Sequence, residues 1–168
     1  MHIQRHLHAT SLGAALLLGA LVASPPADAR AKGQVGQRAP DFRLQTIAGN
    51  WVSLAKQRGR KVVMVVGMSK KSAPRCKRWM AKLVKRYPPR KSPVEVYQVV
   101  VVDKSWYIPR SLVISKLKTF IGPSYYNRFL IEWYTGYAKR YGIPKSTLPV
   151  VLVVDEAGGA VWREVDWE

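Results

Sequence analysis

The chain has 168 residues, 48% of them hydrophobic and 23% charged, with 28 Lys+Arg against 10 Asp+Glu for a net charge of +18. That length and composition suit one globular domain with a real core and exclude a disordered chain. A single cysteine, Cys76, excludes an internal disulfide and an all-cysteine metal site; the charge bears on partners rather than on fold.

In chain order, the first segment reads as a targeting signal. Arg5 and the histidines His2, His6 and His8 make a mildly basic start. Ser11 to Ser24 is an apolar run too short to span a bilayer comfortably, and Ala27-Asp28-Ala29 supplies the small-x-small pattern of a signal peptidase site. An uncleaved anchor or a buried N-terminal helix is the alternative. The expected organisation is a signal peptide over residues 1–29, a flexible lead-in over 30–35 and one domain over 36–168. Cleavage near Ala29 would remove Arg5 and Asp28, leaving the net charge unchanged, and place the mature chain in the periplasm or outside the cell. No second apolar run approaches membrane-spanning length.

Val62 to Val66 is a β-branched run bounded by Gly59 and Gly67, the pattern of a buried strand. Apolar positions at Cys76, Trp79, Met80, Leu83, Val84 and Tyr87 then follow helical spacing. Ser72 is a candidate N-cap, Pro74 is tolerated in the first turn, and Pro88-Pro89 ends the helix. Val94 to Val102 predicts a second buried strand, and Leu112 to Phe120 has helical spacing. Arg128 to Trp133 predicts a short strand followed by a helix over Tyr134 to Tyr141, although periodicity also admits one continuous amphipathic helix. Leu148 to Val154 predicts a strand, Asp155 to Gly159 a hairpin turn, and Ala160 to Val165 the return strand. Strands alternating with helices and closing on a hairpin indicate an α/β domain with a central mixed sheet.

Three segments, in order, resemble the redoxin group of the thioredoxin-like superfamily, which includes peroxiredoxins of the alkyl hydroperoxide reductase type and periplasmic cytochrome-maturation thioredoxins. Gly36 to Leu44 (GQRAPDFRL) is similar to that group's G-x-x-A-P-D-F-x-L opening. Trp51 to Lys61 is similar to its lead into the first central strand. Tyr141-Gly142-Ile143, with Ser146 to Val154 and Asp155 to Gly159, resembles its Y-G-V…T-P-T-x-x-x-I-D-x-x-G close. The resemblance implies a thioredoxin-like fold, a mixed sheet flanked by helices with an aromatic-rich insertion, in which Pro149 would be a cis proline facing the active site. It also implies a C-x-x-C pair at the start of the helix after the first central strand, where this chain reads Ser69-Lys70-Lys71-Ser72-Ala73-Pro74-Arg75-Cys76. Relatives carry an apolar residue seven positions beyond the second cysteine, and Leu83 meets that spacing from Cys76. On this alignment Cys76 stands in the second, sheltered position and Ala73 replaces the exposed nucleophile.

Two readings of Cys76 follow. As a small apolar residue it would pack in phase with Met80 and Leu83. As the thiol of a one-cysteine peroxidase, mixed-disulfide oxidoreductase or thiol sensor, it would draw on Lys71, Arg75, Lys77 and the helix N-terminus to favour the thiolate, with Ser72 and Pro149 beside it. Peroxiredoxins place Thr or Ser three residues before the reactive cysteine, and Ala73 stands there instead. Disulfide-linked dimerisation through Cys76 is a third possibility in an oxidising compartment. Ser72-x-x-x-Cys76 has the spacing of the copper-chaperone branch of the fold with one sulfur replaced by oxygen, and no histidine follows His8. A soft Cu(I) site and Ser–His or Cys–His catalysis are therefore not expected. Phosphate-loop, dinucleotide and zinc patterns are missing too, so no metal or cofactor is expected.

Between Phe42 and Pro93 there is no acidic residue, while fifteen of the 28 basic residues fall there. Lys70, Lys71, Arg75, Lys77, Arg78, Lys82, Lys85 and Arg86 would line the helix start and its polar face. A solvated basic face is the plain reading. The functional one is a docking rim for an anionic envelope component or an acidic protein, with nucleic acid discounted by the export signal. Trp106, Tyr107, Tyr125, Tyr126, Trp133, Tyr134 and Tyr137 enrich the middle segment in aromatics, as packing of an insertion or as an extended binding face.

Overall fold

A computed structural model describes residues 36–102 and 108–165. The expected signal peptide and lead-in, and Trp106 and Tyr107, lie outside the described residues.

Seven strands form one mixed sheet: β1 (Arg43–Thr46), β2 (Trp51–Ser53), β3 (Lys61–Gly67), β4 (Val94–Val101), β5 (Phe129–Glu132), β6 (Val150–Val154) and β7 (Ala160–Val165). Their spatial order is β2-β1-β5-β4-β3-β6-β7. β3, β4 and β5 run parallel, and β6, β7, β1 and β2 join antiparallel at the flanks. Helix α1 (Ala73–Arg86) connects β3 to β4. Helix α2 (Arg110–Phe120) and a 3-10 segment (Pro123–Arg128) connect β4 to β5, and the short α3 (Gly136–Arg140) follows β5. This is the thioredoxin-like arrangement that the sequence resemblance implies.

The strand alternation decides which helix covers which side, because side chains two apart share a face. Val63 and Val65 of β3, Val96 of β4 and Val151 of β6 pack under α1 with Cys76 and Met80. Further along the same face, Val100 of β4 and Phe129 and Ile131 of β5 pack under Val113, Ile114 and Leu117 of α2. The intervening residues, among them Val62, Met64, Val66, Val99, Leu130 and Leu152, build the other side against Phe42, Tyr137 and Tyr141. There Tyr137 stacks on Tyr141 with ring centroids 4.5 Å apart, and Phe42 meets Tyr137 edge-on at 5.6 Å. The Tyr137 hydroxyl donates to Met64 Sδ at 3.1 Å, and the Tyr141 hydroxyl donates to the Pro40 carbonyl at 2.6 Å. Burial raises the pKa of both phenols, and it pushes Tyr97 up to about 12, with the Glu95 carboxylate adding to the shift.

Phe129–Glu132 is a strand, as preferred over a continuous helix, because each of its first three residues is buried between layers. The helix expected over Tyr134 to Tyr141 is limited to Gly136–Arg140. The β1–β2 hairpin has no counterpart in the strands read from sequence. Its turn is held by Thr46, whose N–H donates to the Asn50 carbonyl at 2.8 Å while its hydroxyl accepts from the Asn50 N–H at 3.1 Å. Gly49 stands there at φ +98°, a conformation that side chains resist.

One buried cation has no precedent in the sequence reading. Arg128, 8% exposed, donates from Nη1 to the Val96 carbonyl at 3.0 Å, and its Nη2 lies 3.9 Å from Glu95 Oε2. The other oxygen of Glu95 pairs with Arg60. One carboxylate thus bridges two arginines at the sheet margin.

Candidate functional site

The site region lies where β3 ends and α1 begins, at the carboxyl ends of the parallel strands. Gly67 closes β3, and Lys70–Ser72 form a 3-10 turn that leads directly into α1. The turn is capped one step earlier than the sequence suggests. Ser69 carries the cap: its Oγ accepts from the Ser72 N–H at 3.3 Å, and the Ser69 N–H donates to Ser72 Oγ at 3.4 Å. This is a reciprocal capping box. Ser72 stands at the N-cap position of α1, but its side chain makes no cap bond there. Its hydroxyl instead donates to the Ser69 carbonyl at 2.7 Å. The reason is that Ser72 already has helical backbone angles, φ −76° and ψ −15°, so its side chain turns back into the 3-10 turn.

Ser72 and Cys76 are each 1% exposed, and both face Gly67. A Cβ on Gly67 would lie 2.9 Å from Cys76 Sγ and 2.9 Å from Ser72 Oγ. Both side chains are too short to swing clear, so glycine is required here by close approach rather than by backbone angle. Cys76 therefore sits under the first turns of α1 in a layer made by Val63, Val65, Met80, Val96 and Val151. Leu83 joins that layer as a partly buried member, while Lys82 is exposed. Ala73, the first residue of α1, is exposed. The position facing solvent at the helix start thus holds a methyl group, and the thiol lies one turn deeper.

Attack on a disulfide or peroxide needs a thiolate that the substrate can reach. In this arrangement Cys76 Sγ is walled in, and the Ser72 hydroxyl is engaged with its own turn. Pro149 is buried at the edge of β6, on the strand next to β3. Its peptide bond is trans, since no peptide bond among the described residues is cis. This corrects the cis proline implied by the resemblance. Trans is the favoured prolyl isomer by roughly 0.5–1 kcal/mol; in the preceding loop the Leu148 N–H donates to Ser146 Oγ at 3.0 Å.

Around this sheltered pair the cations named from sequence point outward. Lys70, Lys71, Lys77, Arg78, Lys82, Lys85 and Arg86 are exposed, and Arg75 is half-buried. Beside Met68 a hollow of about 200 Å³ opens, floored by Val101, Ala138 and Ile143 and edged by Thr135, Lys139 and Lys145. Among the described residues no group of His, Cys, Asp and Glu is placed to hold a metal ion. Nor is any helix there long and apolar enough to cross a membrane. Two residues of the site escaped the sequence reading. In the sequence Gly67 marks only a strand boundary and Ser72 stands as the cap, although the Ser-x-x-Ser spacing from 69 to 72 is the signal that points to Ser69.

A family model described as the AhpC/TSA family matches residues 35–162. Among solved structures, the chain resembles the exposed lipoprotein thioredoxin of Streptococcus pneumoniae, with TM-score 0.60 and 17% identity over 77% of this chain and 91% of that one. It is also similar to the thioredoxin domain of a thiol-disulfide oxidoreductase from Bacteroides vulgatus, with TM-score 0.56 and 23% identity over 78% and 88%. A third likeness is to a thiol peroxidase from Chromobacterium violaceum, with TM-score 0.52 and 19% identity over 79% and 76%. At these identities the likeness extends to the fold. No curated protein matches the chain at a significant level.

Proposed function

The chain belongs to the AhpC/TSA family, and on that premise we propose that it is an exported, non-catalytic thioredoxin-like module that docks an anionic partner through the basic rim from Lys70 to Arg86. The observation that carries this reading is the exchange at the helix start: Ala73 is exposed where the fold exposes a nucleophile, and the sole thiol is 1% exposed. What the same surface offers instead is charge. α1 contains no acidic residue, and its outward side carries Lys77, Arg78, Lys82, Lys85 and Arg86. Like charges at helical spacing cost roughly a few tenths of a kcal/mol per pair, a cost that an anionic partner would relieve. Export is supported by the N-terminal pattern ending at Ala27-Asp28-Ala29.

Retention on immobilised polyglutamate tests the reading. Binding should be firm at low ionic strength and fall steeply as salt screens the rim. Replacing Lys77, Arg78, Lys82 and Lys85 together by Glu should weaken it roughly tenfold or more. Retention insensitive to both salt and these substitutions would end the proposal.

A one-cysteine redox enzyme is the second reading, favoured by the cations around the helix start. The two differ in thiol reactivity. A binding module predicts that Cys76 in the native protein alkylates roughly a hundredfold more slowly than in denaturant, because reaction waits on local opening. Fast native alkylation below about pH 7, with sulfenic acid formed by peroxide, would favour the enzyme.

A further inference from the structure

We propose that the layer formed by α1 and α2 docks on the surface of an anionic lipid bilayer; this rests on the basic-rim reading and names its partner. The two helices lie side by side on one face of the sheet. Side chains along β4 alternate, so Val96 under α1 and Val100 under α2 point the same way. Neither helix contains an acidic residue. Arg110, Lys116 and Lys118 on α2 are exposed and extend the positive surface begun on α1.

The second observation is apolar. Leu112 is 60% exposed and Phe120 is 73% exposed, both on α2. They are eight residues apart, two turns and about 80° around the axis, with Lys116 between them. Neither is needed to hold the helix down, because Val113, Ile114 and Leu117 do that against β4 and β5. Single exposed apolar residues are ordinary. Two large ones among lysines, on an acid-free helix beside a basic one, have the composition of an interfacial surface. A soluble polyanion would satisfy the lysines and leave Leu112 and Phe120 in water. A phospholipid surface takes both, with phosphates meeting the ammonium groups and acyl chains receiving the apolar side chains, while the lysine stems lie along the boundary.

The test uses the full chain with vesicles of phosphatidylcholine alone or with roughly one third phosphatidylglycerol, read by co-sedimentation and by hydroxyl-radical oxidation of side chains. Oxidation of Leu112 and Phe120 should drop about threefold or more on the anionic vesicles, not on the neutral ones, and should recover in high salt. The double variant Leu112→Ser, Phe120→Ser should bind anionic vesicles about tenfold less tightly and keep its retention on polyglutamate. Co-sedimentation with unchanged oxidation at both residues would overturn the proposal, as would equal protection on neutral vesicles. Retention on polyglutamate without vesicle binding overturns the lipid partner and leaves the basic rim standing. Loss of polyglutamate retention removes the rim reading itself.

Discussion

Folding stability should fall steeply once the pH passes 10. In the unfolded chain a tyrosine phenol ionises near its ordinary value of about 10. In the fold Tyr97 keeps its proton until about 12, and the pKa values of Tyr137 and Tyr141 are raised as well, because burial penalises each phenolate. Above pH 10 the unfolded state therefore binds fewer protons than the native one, and the derivative of stability with pH is negative. Below pH 10 the contribution is fully present. While its native form stays protonated, each raised phenol removes stability as pH climbs, and across the window from about pH 10 to 12 the three losses add in the same direction. Against a total stability of about 5–15 kcal/mol, the protein should unfold within that window. Denaturant titrations at intervals from about pH 9 to pH 12, followed with phenolate absorbance, check this. Reversible ionisation of all the tyrosines near pH 10 in a chain that stays folded would contradict it.

The second large effect concerns Glu95. Glu95→Ala should destabilise the protein by about 3 kcal/mol, since it leaves the buried Arg128 guanidinium without its counter-charge. Arg60 is half exposed and regains water when its partner goes, so the loss is carried by Arg128. The control is the double variant Glu95→Ala, Arg128→Met, which removes both charges and should recover most of the loss. A double variant as unstable as the sum of the singles would mean that the arginine acts through packing alone.

The parts of this fold that were legible in sequence are those where one physical rule dominates. Val62–Val66 and Val94–Val101 lie inside the sheet, where runs rich in valine suit strands covered on both faces. Cys76, Trp79, Met80, Leu83, Val84 and Tyr87 gave α1 because a helix over a sheet must bury one stripe. The missed elements are those fixed by partners distant in sequence. β1 has four residues, and its alternation of exposed Arg43, buried Leu44 and buried Thr46 is too short to stand out. β2 has three. Arg128 reads as one more surface cation until Glu95 and the Val96 carbonyl are brought to it. Within the site, the phase of Cys76 with Met80 offers burial as one of two readings of that thiol, and the fold leaves Cys76 1% exposed. The exclusion of a side chain at Gly67 could not be read, because it depends on two side chains arriving from the next turn and the next helix.

The N-terminal segment of the domain is bound at the other end of the sheet. Gly36 and Ala39 donate to the carbonyls of Ala160 and Gly158, Ala160 donates back to Gln37, and Arg38 bridges Gly159. Those partners belong to the β6–β7 turn, beside the residues where β3 begins, whereas Gly67 and Cys76 lie where β3 ends. The length of a strand, about 17–20 Å, separates the two. A load applied through the chain ahead of Gly36 would thus reach the hairpin first, along its hydrogen bonds, and leave the thiol pole last to feel it. The domain has its mooring at one pole and its sheltered cysteine at the other, with the basic flank running between them.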